Sequence, residues 1–216
     1  MEEIGFWEGF FNGVLGTSLL EWIGVLAGVV YVILASYRSI WCWLFAFISS
    51  SLYVYLCFQY DLFIESGLQL FYVAMAVVGW ISWKNEEPKD SSQVLDAKDD
   101  QSNKVNIKVW PIRIHVINVF ASGAVAFVLG WIFDVYTTQA NPYMDAFTTV
   151  YSLLATFMVT RRVLENWVYW IVIDAVSILL YYDRGLYLSV ALYALFTVLA
   201  LIGLIAWWKE YNTQKA

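Results

Sequence analysis

Residues 163–183 read VLENWVYWIVIDAVSILLYYD. A bilayer core of about 30 Å takes roughly 20 residues of α-helix, so this run is long enough to cross one. Its middle holds one carboxylate, Asp174. A charge at that depth costs about 2.5–3.5 kcal/mol on insertion scales, so a carboxylate there needs a reason. Trp167, Trp170 and Asp174 stand at i, i+3 and i+7, one stripe of a helix. Aromatic faces ending in a carboxylate suit a flat cationic or amide-bearing ligand: rings stack, a cation sits over the π-face, and the carboxylate takes a donor. The alternative is a pair of interfacial belt tryptophans with Asp174 bonded to a neighbouring helix.

The same run has a counterpart 124 residues earlier, SIWCWLFAFISSSLYVYLCFQ at 39–59. Without gaps, Arg38 meets Arg162, Trp43 meets Trp167, Gly79 meets Gly203 and Trp83 meets Trp207. Glu21 meets Asp145, Ser50 meets Asp174, and Gln69 meets Tyr193. Repeated Trp, Arg and Gly at one offset point to a duplicated architecture.

Outward from these two runs, seven segments reach membrane length: 19–36, 40–60, 62–84, 110–136, 143–160, 163–183 and 186–208. The offset maps the first three onto the last three and leaves the fourth as connector. A single connecting helix gives both halves the same orientation, so the expected fold is all-α, with seven transmembrane helices as a 3+1+3 parallel pseudo-repeat of the SWEET-like kind. The expected organisation is an interfacial amphipathic helix over 1–18, a three-helix repeat over 19–84 and a flexible cytoplasmic linker over 85–109. A connector and outer loop over 110–142, a second repeat over 143–209 and a short tail over 210–216 complete it.

Eleven of the 12 Lys and Arg fall on one side of this arrangement and only Arg184 on the other. The positive-inside rule then places the N-terminus outside and the C-terminus in the cytoplasm. The MEE start lacks a basic n-region, so no cleavable leader is expected.

Composition narrows the function. The chain is 61% hydrophobic and 14% charged with a net charge of −6, which excludes a soluble enzyme and a nucleic-acid binder. There is no P-loop, HExxH or GxSxG, and no cofactor or metal is expected. Cys42 and Cys57 read as small buried hydrophobes, and the lone His115 does not read as a ligand. Too few intramembrane acids are present for a proton relay.

The candidate substrate-binding residues are Trp167, Trp170, Asp174, Gln69, Tyr193 and Ser50, with Asp145 as a gate or cap. Gln69 and Tyr193 can hydrogen-bond from a wall between the halves, or only tie helices together. Ser50, within Ser49–Ser51, either lines a cavity or bonds backbone one turn back. Glu21 and Glu65 are expected at the outer surface. An embedded enzyme or a non-transporting scaffold are the rival classes, and neither has converging catalytic groups to recommend it.

The stretch from Asp145 to Trp208, with its TRRVLENWVYW core, resembles the C-terminal half of bacterial PnuC-type vitamin transporters. IWCWLFAFISSSLYVYL and LQLFYVAMAVVGWISW are similar to the first half of that family. The resemblance implies a 3+1+3 inner-membrane protein, often a homotrimer, that takes up an unphosphorylated vitamin by facilitated diffusion. A cytoplasmic kinase then phosphorylates the vitamin and traps it. The usual cargo is nicotinamide riboside; relatives carry thiamine or riboflavin-like compounds. The family's WxxW stripe maps to Trp167 and Trp170, and its third-span glutamine to Gln69. Many nicotinamide riboside members look to have Asn where this chain has Asp174. Thiamine's exocyclic amine is a further donor that a carboxylate accepts, so thiamine is the alternative cargo.

Overall fold

The structure, a computed structural model, describes residues 5–60, 63–85, 106–137 and 141–215. Among these, the regular elements are eight α-helices: α1 Phe6–Gly16, α2 Leu19–Ser36, α3 Cys42–Gln59, α4 Phe63–Asn85, α5 Ile112–Tyr136, α6 Pro142–Thr160, α7 Asn166–Asp183 and α8 Tyr187–Lys215. Five of them (α2, α3, α4 from Glu65, α5 and α8) are long and apolar enough to cross a membrane. The expected count was seven. The two that miss this criterion, α6 and α7, carry Ser152, Thr156, Thr160, Asn166, Asp174 and Ser177, all buried inside the protein.

Local chemistry explains the helix ends. Ser18 opens α2 with a capping box: its backbone N–H donates to Glu21 Oε2 at 2.6 Å, and its hydroxyl accepts from the Glu21 N–H. Glu21 is therefore a helix cap. Pro142 starts α6, where its missing N–H costs nothing. The turns after α2 and α6 each place an arginine in the left-handed region, Arg38 at φ 60 and Arg162 at φ 56. Each is followed by a Schellman-type bond, Ser39 N–H to Leu34 O and Val163 N–H to Met158 O. Gly would adopt this conformation at lower cost; surrounding contacts hold arginine in it twice.

The 124-residue offset relates geometry as well as letters. Trp43 lies against Gly79, and Trp167 against Gly203, where an added Cβ would stand 2.7 Å from the indole. Trp83 Nε1 donates to Val159 O at 3.3 Å, and Trp207 Nε1 donates to Ala35 O at 3.1 Å. Ala35 and Val159 are themselves 124 apart, so each half pegs a tryptophan into the same place in the other. The four indoles form one buried cluster, with Trp43–Trp83 and Trp167–Trp207 both edge-on at 87°. Helix packing follows the same rule: α2, α3 and α4 pack in series, as do α6, α7 and α8. The halves join through the equivalent pairs α2 with α8 and α4 with α6.

The two remaining helices flank this arrangement. Helix α5 packs on α6, and α1 packs on the start of α8. On α1, Trp7, Phe11 and Leu15 remain exposed. Most of the expected linker, 86–105, lies outside the described residues. Its end is held rather than loose. Lys108 N–H donates to Arg162 O, the Lys108 carbonyl accepts from Leu164 N–H, and the Ile107 N–H donates to Gln214 Oε1. Trp110 N–H reaches Glu165 Oε2, and His115 Nδ1 lies 3.1 Å from the Tyr169 hydroxyl. The expected tail, 210–216, is helical to Lys215 because Glu210 pairs with Arg38 at 2.9 Å and Gln214 holds Ile107.

Candidate functional site

A cavity of about 680 Å³ opens between the halves, within the roughly 300–1,000 Å³ usual for small-molecule sites. Helix α7 supplies its longest wall. The stripe expected from Trp167, Trp170 and Asp174 continues through Ser177, Tyr181 and Arg184, every third or fourth residue. Opposite it, α4 contributes Glu65, Gln69 and Tyr72 at the same helical spacing. Tyr31 comes from α2, Thr148 and Ser152 from α6, and Tyr193 from α8.

Asp174 is 3% exposed, and no hydrogen bond reaches its carboxyl group among the described residues. A buried carboxyl without a donor is an unusual expense, and here it faces a cavity. Trp167 is also 3% exposed, which removes it from any interfacial belt. Its ring edge packs on Trp207 of the same half and its indole N–H is unpartnered, so it braces α7 against α8 while lining the cavity. Trp170 is half-buried and offers the larger free face.

Tyr193 stacks on Tyr181, centroids 5.1 Å apart and planes within 15°. The Arg184 guanidinium lies 6.0 Å over the Tyr181 ring and donates through Nη2 to Asp145 Oδ2 at 2.6 Å. Asp145 is thus an ion-pair partner at the α7–α8 turn; the residue preceding its helix is Asn141, which makes no side-chain cap.

The structure therefore brings Trp167, Trp170, Asp174, Gln69, Tyr193 and Asp145 to one cavity. Ser50 departs from the expectation: it lines a separate, smaller chamber beside that cavity. The cause is its position one helix further from the α7 wall, on α3, which contributes only Cys57 to the main cavity. Glu65, expected at the outer surface, lines the cavity. Tyr31, Tyr72, Ser152, Ser177 and Arg184 were not singled out from the sequence as binding residues. Ser177 and Arg184 lay on the α7 stripe already identified, and that spacing was the available signal.

The family described as nicotinamide mononucleotide transporter matches residues 18–209. The nicotinamide riboside transporter PnuC of Escherichia coli is 25% identical over 203 residues, covering 88% of this chain and 85% of that protein. The riboflavin/roseoflavin transporter RibM of Streptomyces davaonensis is 28% identical over 189 residues, covering 87% and 84%. A crystal structure of the vitamin B3 transporter PnuC superposes with a TM-score of 0.71 at 24% identity, covering 96% of this chain and 90% of that one.

Proposed function

Because the chain belongs to the nicotinamide mononucleotide transporter family, we propose that this multi-pass membrane protein carries nicotinamide riboside by facilitated diffusion. The observation that carries the choice of cargo is Asp174, a buried carboxyl facing the cavity with no internal donor. Nicotinamide riboside presents a flat pyridinium cation and an amide. Trp170 and Trp167 supply π-faces, Asp174 takes the positive or donor edge, and Gln69 reads the amide. Among the described residues, Glu65, Asp145 and Asp174 line the cavity against one cation, Arg184, which is already paired. A phosphorylated nucleotide would bring negative charge into that setting, so the unphosphorylated riboside is the better fit.

The proposed architecture is 3+1+3, with α2–α4 and α6–α8 as parallel repeats and α5 as connector. Its support is the reciprocal placement of Trp83 on Val159 and Trp207 on Ala35. Helices α6 and α7 then cross with their polar residues turned to the cavity. The N-terminus faces outward and the C-terminus the cytoplasm of a bacterial inner membrane. Each half rocks against the other around a central site, and the Asp145–Arg184 pair closes the outer end. A homotrimer, and a cytoplasmic kinase that traps the imported vitamin, complete the proposal. Thiamine is the second reading, favoured by the same carboxylate, which accepts from an exocyclic amine. A flavin carries no positive charge for Asp174 to meet.

Counterflow into proteoliposomes tests this. Labelled nicotinamide riboside should exchange into vesicles preloaded with the unlabelled compound, with proton and sodium gradients collapsed. Exchange of thiamine alone would replace the cargo; chemical conversion of the label would make the protein an enzyme.

A further inference from the structure

Two polar side chains at the start of α7 do not line the cavity, Glu165 and Tyr169. They stand four residues apart, on one helical face, and that face lies opposite the one carrying Trp167, Trp170 and Asp174. At the 124-residue offset the first half has Trp41 and Phe45 in these places, so α3 has no equivalent polar face.

What this face meets is the connector. Helix α5 packs on α6 and not on the α7 backbone, yet His115 of α5 reaches across: its Nδ1 lies 3.1 Å from the Tyr169 hydroxyl. On the other edge of the ring, Nε2 lies 3.7 Å from Glu165 Oε1, too far for a hydrogen bond, and is buried without another partner among the described residues. A carboxylate on that side favours the tautomer with its proton on Nε2, which leaves Nδ1 to accept from the Tyr169 O–H. Glu165 is itself held, its Oε2 accepting the Trp110 N–H at 3.4 Å. The Trp110 and Tyr169 rings bracket the imidazole, with centroids 6.1 and 5.9 Å away.

Helix α7 does not need this latch to stay in the fold, because it packs on α6 and α8. Apolar packing leaves rotation about the helix axis loosely set, whereas a hydrogen bond is directional. Tyr169 directly precedes Trp170, and both rings pack against the cluster of Tyr151, Ala155 and Ile173. Fixing the Tyr169 hydroxyl therefore fixes where the next side chain points.

We propose that His115 and Tyr169 are positioning residues for the cargo site. The hydrogen bond between them sets the rotation of α7 and so the presentation of the Trp170 face to the cavity. The inference rests on Trp170 being a cargo contact in the proposed transporter, and it gives the connector helix and the lone histidine a part in binding.

The experiment is a calorimetric titration of nicotinamide riboside. Tyr169→Phe and His115→Leu should each weaken binding about two- to tenfold, the range of one lost neutral hydrogen bond. The double variant should lose no more than the worse single one, because both remove the same bond. His115→Asn, whose Oδ1 can accept in place of Nδ1, should recover most of the affinity. In a Trp170→Phe background, Tyr169→Phe should cost clearly less than it does in wild type, since the indole it positions is gone. Wild-type affinity in Tyr169→Phe, or an equal loss with and without the Trp170 indole, overturns the positioning role. If His115→Leu misfolds, Tyr169→Phe decides, since it removes a single oxygen. Failure of wild-type protein to bind the riboside sinks the cargo reading instead, and thiamine then becomes the probe for the same variants. Binding of neither compound removes the Trp170 site and this inference with it.

Discussion

Asp174→Asn separates a binding role for the carboxylate from a structural one. The substitution keeps the side chain's shape and removes its charge. Asp174 has no internal hydrogen bond to lose, so the fold gives up nothing specific. It sheds instead the cost of a buried acid, so thermal stability should rise; about 1 kcal/mol corresponds to roughly 2–4 °C in a chain of this size. Binding should move the other way. A hydrogen bond to a charged group contributes about 1.5–3 kcal/mol against about 0.5–1.5 for a neutral one. The difference, near 1.5 kcal/mol, is roughly a tenfold loss for a ligand that depends on the charge. Thiamine should suffer this in full. Nicotinamide riboside should lose less, because an asparagine amide can exchange paired hydrogen bonds with its carboxamide. The reduced, uncharged form of the riboside should lose least. The assay is a titration of all three ligands against both proteins, with melting temperatures in parallel. Equal affinities for all three, wild type against variant, would remove Asp174 from the site. A lower melting temperature would show that the carboxylate is structural.

Gly203→Ala puts a methyl 2.7 Å from the Trp167 indole, an overpacking of about 1–3 kcal/mol. It should lower the melting temperature and displace a cavity wall, so uptake should fall with it; normal uptake would show that the position of Trp167 is immaterial. Arg184→Gln breaks the pair with Asp145. Cys57, a half-buried residue of the cavity wall, should then react faster with an impermeant thiol reagent applied outside, while the fully buried Cys42 stays protected. An unchanged labelling rate would deny the pair a gating role. Carrying a cation by uniport makes uptake follow voltage: an inside-negative potential of about 60 mV is worth about 1.4 kcal/mol per charge, or tenfold accumulation. Potassium-diffusion potentials in proteoliposomes measure this, and voltage-independent accumulation would refute transport of the charged form.

The sequence carried the placement of the helices and most of the cavity wall, for identifiable physical reasons. Lipid allows no unsatisfied backbone in an exposed span, so apolar length alone located the long helices. Helical spacing put Trp167, Trp170 and Asp174 on one wall, and the wall continues as the period requires. What was not legible depended on contacts between distant segments. Glu65 faces the cavity because α4 packs against α6, a matter of helix rotation that apolar composition all round a span does not fix. Arg184 had been used only to orient the chain, yet its sequence distance of 39 from Asp145 closes to 2.6 Å. Ser50 was paired with Asp174 by the repeat, yet it lines the smaller adjoining chamber and not the main cavity. Duplication preserves backbone placement, while the cavity lies nearer the second half.

That asymmetry bears on how a duplicated fold acquires one site instead of two. The positions conserved between the halves in this chain, Arg38 and Arg162, Trp43 and Trp167, Gly79 and Gly203, Trp83 and Trp207, are those that join helix to helix and half to half. Their geometry must match on both sides, because each tryptophan peg ends on a carbonyl of the opposite repeat. The positions that differ, Ala46 against Trp170 and Ser50 against Asp174, make no such contact and were free to diverge. One large aromatic on each side would have filled the space between the halves. With an indole on one and a methyl on the other, a wall faces a hollow. A cavity flanked by an indole and a carboxylate on one half and by a methyl and a hydroxyl on the other is asymmetric, whereas two identical halves would offer a ligand two equivalent poses.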